Sequence, residues 1–174
     1  MSNTSKIISE WFYQYSDCVY DFLVYYTGSK DVEDLVQEVF IKAGKGLKSY
    51  KEEASPKTWL FSIARHVAID HARKKETRLS KHAKPFDEHI RKNHLESSPE
   101  EILLENEQNQ ALYQAINNQK KSYRDVLILR GIQGLSVKET AAILNWKETK
   151  VRTNFHRAMK AIRMVQGGRI YNEE

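Results

Sequence analysis

The side chains of Lys147, Lys150, Arg152, Thr153, Asn154, His156 and Arg157 could grip a nucleic acid. Lysine and arginine neutralise phosphates. Arginine also presents a forked donor pair to guanine, and asparagine a donor and an acceptor to adenine. A basic face can equally be a solvated helix surface. The DNA reading is favoured because the residues before it supply the caps and the turn of a helix-turn-helix.

A second basic set follows the polar loop 50–55. Lys57, Arg65, His66, Arg73, Lys74, Lys75 and Arg78 fall on one helix face, with Lys51 in the loop and Tyr50 and Trp59 beside them. Cations next to aromatics suit melted or single-stranded nucleic acid, where bases stack and phosphates are neutralised. A solvated helix end with Trp59 in the core explains the same residues equally well.

The third set is acidic. Asp34 and Glu38 lie one helical turn apart, with Gln37 and Lys42 on the same outward stripe. Asp31, Glu33, Asp34 and Glu38 could in principle hold a divalent ion. They share one helix, and no His or further carboxylate converges on them, so a solvated or partner-facing stripe fits better. His66 and His71 are isolated, and Cys18 is the single cysteine. No catalytic constellation, metal site or cofactor motif emerges.

These side chains need scaffolding, and the sequence supplies helices. Gly134 suits a left-handed residue, Ser136 and Glu139 form an S-x-x-E capping box, and Val137, Ala141 and Leu144 recur at helical spacing. Asn145 suits a left-handed turn, with Trp146 tucked beneath it. A second helix then buries Val151, Phe155, Ala158 and Ile162. Upstream, Ile8, Trp11, Phe12, Tyr15, Val19, Phe22, Leu23 and Tyr26 mark an amphipathic helix stopped by Gly28 and Ser29. In the next helix Leu35, Val36, Val39, Phe40 and Ala43 face inward. Gly44 and Gly46 weaken its end by about 1 kcal/mol each. Ser55 is an N-cap with Pro56 at the first helical position, and Leu60, Ile63, Ala64 and Val67 face the core. Apolar periodicity lapses from about Ser80 to Ser98, marking a linker. Ser98 and Pro99 start another helix, whose pattern runs through Ile102, Leu103, Leu112 and Ile116, then Val126, Leu127 and Leu129.

The expected fold class is therefore all-α: two small helical domains, 1–78 and 99–174, joined by a flexible linker, 79–98. Hydrophobic residues at 40% suffice for a core, and a net charge of +5 makes its distribution matter more than its total. Mean hydropathy is −0.66. A single cysteine suits a reducing cytoplasm, and neither a signal peptide nor a membrane-spanning run is expected.

Three stretches together resemble the extracytoplasmic-function sigma factors of bacterial RNA polymerase. They are VEDLVQEVFIKA, SPKTWLFSIARHVAIDHARKK, and the long stretch from YRDVLILRGIQG through NFHRAMKAIR. The resemblance covers nearly everything but the linker and the extreme termini. It implies a promoter-specificity subunit that binds core RNA polymerase and promoter DNA without catalysis. Asp34, Gln37, Glu38 and Lys42 then fall on the helix that docks on the polymerase's largest subunit. The loop Tyr50 to Lys57, including Lys51 and Ser55, matches the one that holds a base flipped from the minus-ten element. Thr58, Arg65, His66, Asp70, Arg73 and Lys74 lie on the helix supporting that recognition. Lys147 to Arg157 matches the reader of the minus-thirty-five duplex. A dedicated anti-sigma factor commonly holds such proteins inactive, so one is an expected partner.

Four positions depart from the family pattern. Gly44 replaces a bulky aromatic, which would loosen its helix end. Gln119 and Lys120 replace Leu-Pro. Lys147 replaces a Ser or Thr N-cap, removing a bond of about 1 kcal/mol. Asn154 stands where a basic residue is common, hinting at an altered base preference. A stand-alone helix-turn-helix regulator is the competing reading, and a metal-dependent nuclease a third. A regulator needs neither the acidic stripe nor the second basic helix.

Overall fold

The computed structural model describes residues 2–82 and 107–170, and all regular structure among them is helical. The chain divides into two compact units, Met1–Leu104 and Glu105–Glu174. The expected linker lies outside the described residues except for 79–82, which continue a helix. The helix start at Ser98 and Pro99, with Ile102 and Leu103, also lies outside them.

The first unit is three mutually packed helices, α1 (Asn3–Thr27), α2 (Glu33–Gly46) and α3 (Pro56–His82). Gly28, at φ 75°, ends α1, and its N–H donates to the Val24 carbonyl. Phe22 and Leu23 of α1, Val39 and Ala43 of α2, and Leu60, Phe61 and Ala64 of α3 are wholly buried. Phe22 packs on Phe61 with ring centroids 5.1 Å apart.

The apolar pattern overstated the core of α1. Phe12 touches Phe40 of α2 at 5.0 Å between centroids yet is 44% exposed. Ile63 is half-buried, and its neighbour Phe61 points into the core instead. Gly44 lies inside α2, which runs on to Gly46 and ends there in a 3-10 turn, Leu47–Ser49. Tertiary contact on the inward face outweighs a propensity cost of about 1 kcal/mol per glycine.

The second unit contains α4 (Glu107–Asn117), α5 (Lys121–Val126), a π-helical turn (Leu127–Ile132), α6 (Val137–Leu144) and α7 (Glu148–Ile170). Lys120 is the N-cap of α5, so Gln119 and Lys120 break the chain where Leu-Pro would; the Lys120 ammonium lies 4.3 Å from the Tyr123 ring centroid. The π-helical turn widens the end of α5 so that the Gln133 N–H reaches the Ile128 carbonyl and the Leu135 N–H the Leu129 carbonyl. Gly134, at φ 67°, then turns the chain into α6.

Candidate nucleic-acid and protein interfaces

The helix-turn-helix forms as its residues require. The Ser136 hydroxyl accepts from the Glu139 N–H at 3.0 Å, and the Glu139 carboxylate accepts from the Ser136 N–H at 2.8 Å. Asn145 adopts the left-handed conformation, φ 55° and ψ 45°, and the Trp146 N–H closes the turn on the Ala141 carbonyl. Val151, Ala158 and Ile162 of α7 are buried, while Phe155 is only half-buried. Arg130 covers it: the guanidinium lies 4.8 Å from the Phe155 ring centroid and donates to the Leu135 carbonyl at 3.1 Å. One arginine thus ties the turn before α6 to the helix behind it, a connection no sequence period reveals.

Lys147, just before α7, and Lys150, Arg152, Thr153, His156 and Arg157 on its outer face are exposed. Asn154 is half-buried rather than fully exposed, and its amide donates to the Lys150 carbonyl at 2.8 Å. Pairing with adenine would require that bond to be exchanged. Lys150 sits over the Trp146 ring at 4.2 Å. Arg152 is paired with Glu148 at 3.3 Å. A notch of about 290 Å³ lies between Lys147, Thr149, Lys150, Thr153 and Asn154. Glu148, through its pair with Arg152, and Thr149, in the notch, also belong to this face, although neither was singled out among its candidate contacts.

In the first unit, Ser55 caps α3. Its hydroxyl accepts from the Thr58 N–H at 3.2 Å and donates to the Thr58 hydroxyl at 3.0 Å. Thr58 is therefore a correction: it is only 4% exposed and supports the cap rather than facing a ligand. Tyr50 also differs from an open stacking platform. Its ring packs on Trp11 and Trp59, at 5.5 and 4.9 Å between centroids, and its hydroxyl donates to the Ala54 carbonyl. Burial foremost, then the charge of Glu52, pushes the Tyr50 phenol above its usual range, keeping it a neutral donor. Trp59 completes this nest against Trp11 at 6.0 Å and is half-buried. Tyr50 is thus a post that folds the loop back on itself.

Lys51, His66, Arg73 and Lys74 are exposed, and Arg65 and Asp70 half-buried. Lys57, expected on the open face, is half-buried with its ammonium 5.7 Å from the Phe61 ring centroid. Residues 71–78 are exposed all round, so α3 projects past the helices it packs on and carries Arg73, Lys74, Lys75 and Arg78 into solvent.

On α2, Asp34, Gln37 and Lys42 are exposed and Glu38 half-buried, with Glu38 bridged to Lys42 at 3.1 Å. Among the described residues no three His, Cys, Asp or Glu side chains group as metal ligands, and no helix is long and apolar enough to cross a membrane. Burial, outweighing an opposing pull from Lys57, pushes the Cys18 thiol up, away from reactive thiolate.

Two family models match this chain, and they match the two helical units. Sigma-70 region 2 covers residues 11–78, and Sigma-70 region 4 covers 109–162. The chain belongs to the extracytoplasmic-function group of the sigma-70 family. The ECF RNA polymerase sigma factor SigX of Bacillus subtilis (strain 168) is 37% identical to it over 167 residues, 94% of this chain and 84% of that protein. The ECF RNA polymerase sigma-E factor of Escherichia coli (strain K12) is 32% identical over 143 residues, 79% and 74% of the two chains. The fold of this sigma factor is similar to that of RpoE from Bartonella quintana, solved in complex with the anti-sigma factor NepR. The TM-score is 0.73 at 20% identity, over 93% of this chain and 98% of that one.

Proposed function

We propose that the chain directs core RNA polymerase to specific promoters and helps open them, with the labour divided among its three charged surfaces. The supporting observation is that the region 2 match contains both the acidic stripe of α2 and the basic α3, whereas the region 4 match contains the helix-turn-helix. Asp34, Gln37, Glu38 and Lys42 dock on polymerase. The loop 50–55, with Lys51 and Ser55, and the face of α3 bearing Lys57, Arg65, His66, Arg73 and Lys74 engage the melted minus-ten element. Here Tyr50 and Thr58 shape the loop, and Lys57 acts from beside Phe61. Lys147, Lys150, Arg152, Thr153, Asn154, His156 and Arg157 read the minus-thirty-five duplex. Opening is driven by binding: unstacking a base costs a few kcal/mol, offset by the site that receives it. Members of the family are initiation factors rather than enzymes, and we assign this chain no catalysis or cofactor of its own. It works in the cytoplasm, where polymerase is, and an anti-sigma factor is a partner of the same reading.

A stand-alone regulator would leave the acidic stripe and the projecting α3 without use. Run-off transcription with purified protein and core polymerase tests the choice. Specific transcripts that depend on the protein are expected. DNA binding without any polymerase-dependent transcript on any promoter tried would return the chain to the regulator class.

A further inference from the structure

Glu148 is the single carboxylate from Lys147 to Arg163, a stretch that carries Lys147, Lys150, Arg152, Arg157, Lys160 and Arg163. It stands in the first turn of α7, one helical turn before Arg152 on the same face. The Arg152 guanidinium donates to its carboxylate through Nη2 at 3.3 Å, and the two side chains remain 61% and 47% exposed. Exposed ion pairs one turn apart add little to folding, because water and salt screen them. On a surface that grips phosphates, the same pair is unfavourable. Its negative charge repels the backbone of any duplex, and it occupies a cation that would otherwise neutralise a phosphate. The placement lowers affinity for DNA in general.

We propose that Glu148 is a specificity-determining residue: its carboxylate holds the Arg152 guanidinium toward a guanine edge and keeps it off the phosphates. The pair then weakens binding to other sequences more than binding to the preferred one. The inference rests on the reading of α7 as the duplex reader. Arginine carries its donors in a rigid planar fork. Glu148 engages one of them, and those that remain suffice for the two-pronged contact with guanine O6 and N7. A guanidinium already held in one orientation also loses less freedom when it meets the base. Its neighbours are constrained in the same way. Lys150 sits over the Trp146 ring at 4.2 Å, and the Asn154 amide is bonded to the Lys150 carbonyl at 2.8 Å. Arg152 is held instead by a carboxylate, the group that also discriminates against phosphate.

The test uses the full-length protein, alone and with core polymerase. Wild type selects a preferred duplex from a randomised pool, and each G·C pair of that duplex is then exchanged in turn for A·T. In equilibrium titration, Glu148→Gln should lower discrimination at one G·C pair about three- to tenfold. Binding of a scrambled duplex should tighten about two- to fivefold, with a salt slope steeper by about 0.9, because Arg152 is released to a phosphate. In an Arg152→Ala background, Glu148→Gln should change discrimination by less than about twofold, since the pair has already lost its other half. An acid that only stabilises the start of α7 acts through the helix dipole. Glu148→Gln would then lower the thermal midpoint and weaken preferred and scrambled duplexes by the same factor, which overturns the proposal. Unchanged discrimination in Glu148→Gln, with Arg152→Ala still losing it, also overturns the proposal and leaves the duplex reading standing. If the pool yields no preferred sequence with or without core polymerase, the duplex reading falls and this inference falls with it.

Discussion

Tyr50 separates a loop post from a base-stacking platform. Its hydroxyl bond to the Ala54 carbonyl closes the loop 50–54, and its ring touches both Trp11 and Trp59. Tyr50→Phe removes the hydroxyl bond alone, which should cost about 1 kcal/mol of folding stability. Tyr50→Ala also removes two ring contacts of about 0.5–1.5 kcal/mol each, for a total of about 2–4 kcal/mol. Urea unfolding followed by fluorescence of Trp11 and Trp59, in a Trp146→Phe background, reads both values from the first unit. Capture of a single-stranded minus-ten oligonucleotide should weaken in Tyr50→Phe although the aromatic face is intact, because the loop is no longer pinned. Full capture by Tyr50→Phe, together with a Tyr50→Ala protein as stable as wild type but unable to bind, would refute the post and restore direct stacking.

Other outcomes follow from the same geometry. Asp34→Lys with Glu38→Lys should abolish co-purification with core polymerase while leaving helical content unchanged by circular dichroism. Arg152→Ala and Asn154→Ala should each weaken minus-thirty-five duplex binding by about 1–3 kcal/mol if they read base edges, with single-strand capture untouched. Arg73→Ala, at an exposed position, should lower the salt slope of single-strand binding by about 0.7 and slow opening of a duplex promoter more than of one with a pre-melted bubble. Lys57 is a poorer probe, since its ammonium rests on Phe61. Ser136→Ala should remove about 1 kcal/mol from the second unit by breaking the capping box, measured as a lower thermal midpoint.

The helices, their caps and the helix-turn-helix were legible in the sequence because they depend on short-range chemistry. Ser136 and Glu139 bond across three residues, Gly134 and Asn145 turn the chain locally, and the inward row of α2 follows a 3.6-residue period. Outward charge on α2 and α7 was legible for the same reason, since helical spacing assigns faces. Exposure that depends on a neighbouring helix was not. Phe12 carries the same periodic signal as Phe22, yet only Phe22 meets α3 through Phe61. Thr58 and Lys57 lie at the start of a basic helix, but the Ser55 cap draws one inward and the Phe61 ring holds the other. Tyr50 joined Trp11 and Trp59, from three separate segments, only when the first unit folded. Arg130 likewise reached Phe155 through a π-helical turn whose geometry no residue period encodes. Local spacing therefore determined which side chains share the charged faces of α2, α3 and α7. Packing between helices decided which of them stay in solvent and which are spent holding the loop and α7 in place.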